Sequence, residues 1–149
     1  MRHAILLSTL APLLLAQGAF GQNDTIAVGC TNRTLTGLYG FTISGTAPSG
    51  PEGPAERVVG LAMSLFDGAG NFTQTDWVHG EISGAVADRT GWGSYDLNRD
   101  CSGTMSLNVQ DLPFTVELRI VVVDRGDQIE TVVMAPAPNL ITSSGKRIR

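Results

Sequence analysis

Histidine is nearly absent from this sequence: there are two in 149 residues, His3 and His79. His3 sits in a leader that is expected to be removed, which leaves His79 alone. A zinc site built on several histidines is therefore excluded, and a Ser-His-Asp arrangement would have only His79 to use. No Gly-x-Ser-x-Gly elbow is present to support one. Lysine is scarcer still, with Lys146 the single example, and ten basic side chains face fourteen acidic ones. Without a basic patch to neutralise phosphates, nucleic acid is disfavoured as a partner and none is expected. The same deficit argues against anionic membrane surfaces.

Long apolar runs are also lacking, apart from Ala4 to Ala16. That run follows the basic start Met1-Arg2-His3 and precedes small residues at Ala19 and Gly21, the pattern of a secretory signal. It is too short to span a bilayer, which takes about 20 apolar residues. Residues 1–21 are thus expected to be a signal peptide and 22–149 a single secreted or periplasmic domain, with no membrane insertion once the leader is gone. A retained anchor is the alternative. Cysteine occurs only at Cys30 and Cys101. In an exported chain such a pair forms one disulfide, which leaves no thiol for a metal or cofactor.

What the sequence does contain is β-structure. Eight short runs rich in β-branched and aromatic residues are separated by turn residues, and no window shows helical periodicity. They are Thr36 to Thr46, Val58 to Phe66, Phe72 to His79, Ala85 to Leu97, Gly103 to Gln110, Phe114 to Val123, Gln128 to Met134 and Leu140 to Ile148. Asp67-Gly68-Ala69-Gly70-Asn71 is the strongest hairpin signal. The pattern predicts an all-β fold, an eight-stranded antiparallel up-and-down β-barrel, with a β-sandwich as the alternative. Glycines inside strands (Gly40, Gly60, Gly91, Gly93) favour closure because they permit sharp bending.

Parity then orders the two ends. In an up-and-down barrel the entry to the first strand shares one end with the 67–71, 98–102 and 124–127 turns. Cys30 and Cys101 both fall at that end, so a disulfide would pin the N-terminal segment across the barrel floor. The proline-bearing connections at 47–57 and 135–139 collect at the opposite rim, the natural mouth. The acids of the floor turns (Asp67, Asp100, Asp124, Asp127) are expected to cap their own backbone rather than hold a metal.

Three stretches, Leu35-Thr36-Gly37-Leu38-Tyr39-Gly40-Phe41, Phe66-Asp67-Gly68-Ala69-Gly70-Asn71 and Gly93-Ser94-Tyr95-Asp96-Leu97-Asn98-Arg99-Asp100-Cys101-Ser102-Gly103-Thr104, together resemble a group of small exported bacterial β-proteins of unknown function. The resemblance implies export and an all-β domain, and it carries over no catalytic residue. The chain is also loosely similar to calycin barrels, the lipocalins and avidins. Where their first strand carries Gly-x-Trp, this one has Gly37-Leu38-Tyr39. Lipocalins stack a basic residue on that ring, a part the resemblance implies for Arg147 or Arg149. In size the chain is similar to allene-oxide-cyclase-like barrels.

Strand parity points Tyr39, Phe41, Ile43, Leu61, Met63, Tyr95, Val109, Phe114, Val116, Leu118 and Val133 inward, with Trp77 joining them if the 67–71 turn carries a bulge. A small apolar molecule is the expected partner, held by Tyr39, Phe41, Ile43, Leu61, Met63, Trp77, Tyr95, Phe114 and Leu118. The Tyr39 or Tyr95 hydroxyl would orient it. Gly91 and Gly93 leave space opposite these groups, although a barrel of this size can equally fill itself. An interaction domain of inhibitor or adhesin type, using an outward face around Trp92, is the second reading. A barrel cyclase or isomerase is the third, and it needs an ionisable group inside, with His79, Glu81, Glu117 and Glu130 as candidates.

Overall fold

The computed structural model describes residues 29–149, so the leader 1–21 lies outside the described residues. A short 3-10 turn, Asn32–Thr34, leads into eight strands. They are β1 (Thr36–Pro48), β2 (Ala55–Asp67), β3 (Asn71–Gly80), β4 (Gly84–Leu97), β5 (Ser102–Val109), β6 (Val116–Val123), β7 (Gln128–Ala135) and β8 (Leu140–Arg147). Each pairs antiparallel with the next, and β8 returns to β1 from Tyr39↔Arg147 to Thr46↔Leu140, closing the sheet into a barrel. Closure leaves no sheet edge to manage and rules out the sandwich.

The floor is built as parity requires. Cys30 and Cys101 are joined, with Cα atoms 5.1 Å apart, and the Cys30 amide donates to the Arg99 carbonyl at 3.2 Å. From there the leading segment crosses the lower opening. The Leu97 amide donates to the Asn32 side chain at 2.8 Å, and Leu35 is fully buried as a plug. Above it Tyr39, Phe66, Phe72 and Tyr95 form one aromatic cluster. Phe66 meets Tyr39 and Tyr95 edge-on, with centroids 5.2 Å apart in both cases, and stacks on Phe72 at 5.4 Å. Rings packed in this way contribute beyond their buried area. The Arg147 guanidinium lies 4.9 Å over the Tyr39 ring and donates to the Thr34 and Gly126 carbonyls. Two of the four floor acids close their own turns: Asp67 accepts from the Ala69 and Asn71 amides, and Asp100 from the Ser102 amide and hydroxyl, whereas Asp127 pairs with Arg147 and Arg149.

Two strands present the opposite face from the one expected. Leu61 and Met63 point outward and are 56 % and 41 % exposed, and Leu65 shares their face. The reason lies across the sheet. In an antiparallel pair, residues directly opposite share a face. The β1–β2 register sets Tyr39 opposite Ser64, Phe41 opposite Ala62 and Ile43 opposite Gly60. Large groups on β1 meet small ones on β2, and both sets point inward. Shifting the register by one residue would set Leu61 and Met63 against those rings and overfill the tube. Trp77 likewise faces out, 36 % exposed, while its neighbour Asp76 is buried. A register shift does occur, but between Asp76 and Val78 in the β3–β4 pairing, not at the 67–71 turn. There Asp88 takes a positive φ of 55° and its carboxylate accepts from the Trp77 indole at 3.0 Å.

The disulfide is compatible with an extracellular or periplasmic location. Among the described residues no helix is long and apolar enough to cross a membrane.

Candidate functional site: the upper half of the barrel

Above the aromatic floor the tube is not filled. A cavity of about 720 Å³ occupies its upper half and opens at the rim. Much of its wall is apolar, with Phe41, Ile43, Val109, Val116, Leu118 and Val133 among the lining residues. Pro48, Pro51, Pro136 and Pro138 stand at its mouth, on the proline-bearing connections. Phe114 joins them there, 40 % exposed and just before β6 begins. Valine dominates where the floor has rings, and that difference in side-chain volume makes the space.

Of the residues expected to hold a ligand, Phe41, Ile43, Phe114 and Leu118 line this cavity. Leu61, Met63 and Trp77 do not, because they lie on the outer surface. Tyr39 and Tyr95 point inward but belong to the floor. The Tyr39 hydroxyl donates to the Gly126 carbonyl, and the Tyr95 hydroxyl lies 2.9 Å from the Leu35 carbonyl and 3.0 Å from that of Asn32. Burial raises the pKa of both phenols, although Arg147 draws that of Tyr39 partly back. Neither hydroxyl is free to orient a ligand. Gly91 and Gly93 leave no space either. A Cβ on Gly93 would lie 2.9 Å from the Phe72 ring, and one on Gly91 would lie 2.8 Å from the Gln74 side chain.

Polar groups do enter the cavity, on the wall formed by β2, β3 and β4. The Ser64 hydroxyl donates to Gln74 Oε1 at 3.3 Å, and Gln74 Nε2 donates to Asp76 Oδ2 at 3.2 Å. Arg89 grips Asp76 with two bonds, Nε to Oδ1 at 2.9 Å and Nη2 to Oδ2 at 3.1 Å. The Asp76 side chain is 4 % exposed and that of Arg89 20 %. A paired, hydrogen-bonded charge is the form in which ions survive burial, and the two-pronged geometry fixes the guanidinium plane. Nearer the rim, the Glu56 carboxylate accepts from the Ser83 amide at 2.9 Å and from the Ile82 amide. Hydrogen bonds from the Ser83 side chain and backbone, and from Ile82, hold this carboxyl below the usual range. On the far wall Thr131 and Ser143 share a hydrogen bond of 2.7 Å.

None of His79, Glu81, Glu117 and Glu130 is among the lining residues. The ionisable groups that do line the cavity are Glu56, Asp76, Arg89 and Asp111, of which Asp76 was hidden by the inward expectation for Trp77 on β3. Arg89 could have been found, because parity from the inward Tyr95 runs through Gly93 and Gly91 to Arg89. Asp76 is its direct cross-strand partner. Comparison with protein-family models and with curated proteins returns no match for this chain.

Proposed function

We propose that this is an exported binding barrel that takes one small, largely apolar molecule into its upper half through the proline-bearing rim. The observation that carries this reading is the 720 Å³ cavity, with valine the commonest residue of its wall and a packed aromatic floor closing it below. Its volume lies within the range of about 300–1,000 Å³ typical of small-ligand sites. Apolar burial supplies the affinity, on the order of 25 cal/mol per Å² removed from water. The likeness to calycin barrels belongs to the same proposal, and the stacking of Arg147 on Tyr39 supports it. Titration with N-phenylnaphthylamine, a neutral dye that brightens in apolar surroundings, tests the reading. Saturable binding at one dye per chain is expected. Phe114→Asp should weaken it at the mouth, and Val133→Trp should abolish it by filling the space. Unsaturable binding, or binding indifferent to both substitutions, overturns the reading.

A second reading, an interaction domain, has one observation in its favour. Val59, Leu61, Met63 and Leu65 form an exposed aliphatic stripe down β2, with Trp77 beside Leu61 and Trp92 one strand further out. A contiguous apolar outer face of this kind is unusual on a free monomer. Under that reading Leu61→Ser with Leu65→Ser changes sedimentation behaviour, and Val133→Trp leaves function intact.

A further inference from the structure

We propose that the occupant of the cavity is a neutral apolar molecule carrying one hydrogen-bond acceptor, a ketone or ester carbonyl, and that the Arg89 guanidinium reads it. The inference rests on the small-molecule reading above and adds the chemistry of the ligand.

A guanidinium carries five N–H donors and remains charged at any physiological pH. Asp76 takes two of them, from Nε and Nη2. The remaining three, one on Nη2 and two on Nη1, have no hydrogen-bond partner among the described residues. On the acceptor side the network is close to full. Asp76 receives three hydrogen bonds, and Gln74 Oε1 is engaged by Ser64. Thr131 and Ser143 are turned to each other on the opposite wall. The unmet donors of this network are therefore three N–H of Arg89 and one of Gln74 Nε2, so the demand for an acceptor is greatest at Arg89. A ligand oxygen that meets a charged donor in a water-poor site gains more than it would in water.

Charge decides which acceptor. The ionisable groups of the lining are three carboxylates, Glu56, Asp76 and Asp111, against the single cation Arg89. An anionic ligand would reach a guanidinium already neutralised by Asp76 and would meet a net negative wall. A neutral carbonyl gains the hydrogen bond without that repulsion. The geometry also sets its depth. Asp76 stands two positions along β3 from Gln74 and four from the buried Phe72, so the carbonyl sits midway between floor and rim, with Val78 and Val86 above it and Glu56 at the rim.

Displacement of N-phenylnaphthylamine by four probes of equal chain length tests this: nonane, methyl heptyl ketone, nonanoate and nonylamine. The ketone is expected to displace the dye at about tenfold lower concentration than the others, the range of one hydrogen bond to a charged group. The infrared carbonyl stretch of the bound ketone should fall in frequency. The double substitution Asp76→Leu with Arg89→Leu removes the pair without stranding a buried charge. It should keep dye binding and erase the preference for the ketone. Arg89→Lys, which keeps the charge but loses the planar fork, should reduce the preference if the double variant does not fold. Equal displacement by ketone and nonane, preferred binding of nonanoate or nonylamine, or a preference surviving these substitutions overturns the assignment to Arg89 while leaving the barrel a binder. Failure of the dye itself to bind overturns both.

Discussion

The two halves of this barrel share eight strands and differ in what those strands point inward. Below, Tyr39, Phe66, Phe72, Tyr95, Met105 and Ile120 pack into one buried cluster. Above, Ile43, Val58, Val78, Val109, Val116 and Val133 leave it open. An eight-stranded barrel is just wide enough to do either, and this one does both along a single axis. Glycines are sites of close contact in both halves, as at Gly60 and Gly80 above, where Val78 and Glu56 close in on them. In the floor Phe72 packs over Gly93, and where floor meets cavity the Phe41 ring lies against Gly145. The lower half stabilises the fold, and the upper half is relieved of that task.

The sharpest way to break the comparison is to remove one side chain from each half. Phe66 is 1 % exposed and packs with four other rings, so Phe66→Ala should cost about 4 to 5 kcal/mol. Val133→Ala removes a group that already borders open space and should cost about 1 kcal/mol. Equilibrium denaturation measures both, and equal costs would mean that the upper half is packed after all. The next effect concerns the disulfide. Cys30 and Cys101 enclose a 71-residue span, and the chain-entropy argument gives roughly 4 kcal/mol for closing it. Replacing both with serine should lower the denaturation midpoint accordingly while leaving dye affinity in the upper half unchanged. A parallel loss of binding in the folded double variant would show that floor and cavity are not separable.

The same division explains what could be read from the sequence. Strand count, strand order, closure and the position of the mouth all follow from turn chemistry and parity. Boundaries moved by three residues or fewer, the largest shift being at β2, which starts at Ala55 instead of Val58. Alternation, however, yields two faces per strand and does not say which is inner. On β2 the more apolar face (Val59, Leu61, Met63, Leu65) is the outer one, so hydrophobicity alone chose wrongly. The deciding quantity was volume across the sheet: a face bearing Tyr39, Phe41 and Ile43 needs Ser64, Ala62 and Gly60 opposite it. On β3 the same error hid Asp76, and with it the only charged pair inside the cavity among the described residues.

Acid separates the halves most gently. Glu56 at the rim is held below the usual carboxylate range by hydrogen bonds from Ser83 and Ile82, Asp67 at the floor by Asn71 and Ala69, and Asp100 by Ser102. A carboxyl whose pKa is lower in the folded state stabilises the fold fully above its unfolded value, about pH 4, and loses that contribution as pH falls through the folded value. The thermal midpoint should therefore hold near neutrality and fall below about pH 4. Asp67→Asn and Asp100→Asn act on turns that close the packed floor, so each should lower the midpoint at pH 7 and flatten its decline in acid. Glu56→Gln acts on the β3–β4 turn beside the cavity. Its effect should appear first as faster hydrogen exchange at the Ile82 and Ser83 amides, with the global midpoint nearly unmoved, because local opening at the rim does not require the floor to unpack. If Glu56→Gln instead lowers the global midpoint as far as Asp67→Asn does, the rim is part of the stabilising half and the two regions unfold as one.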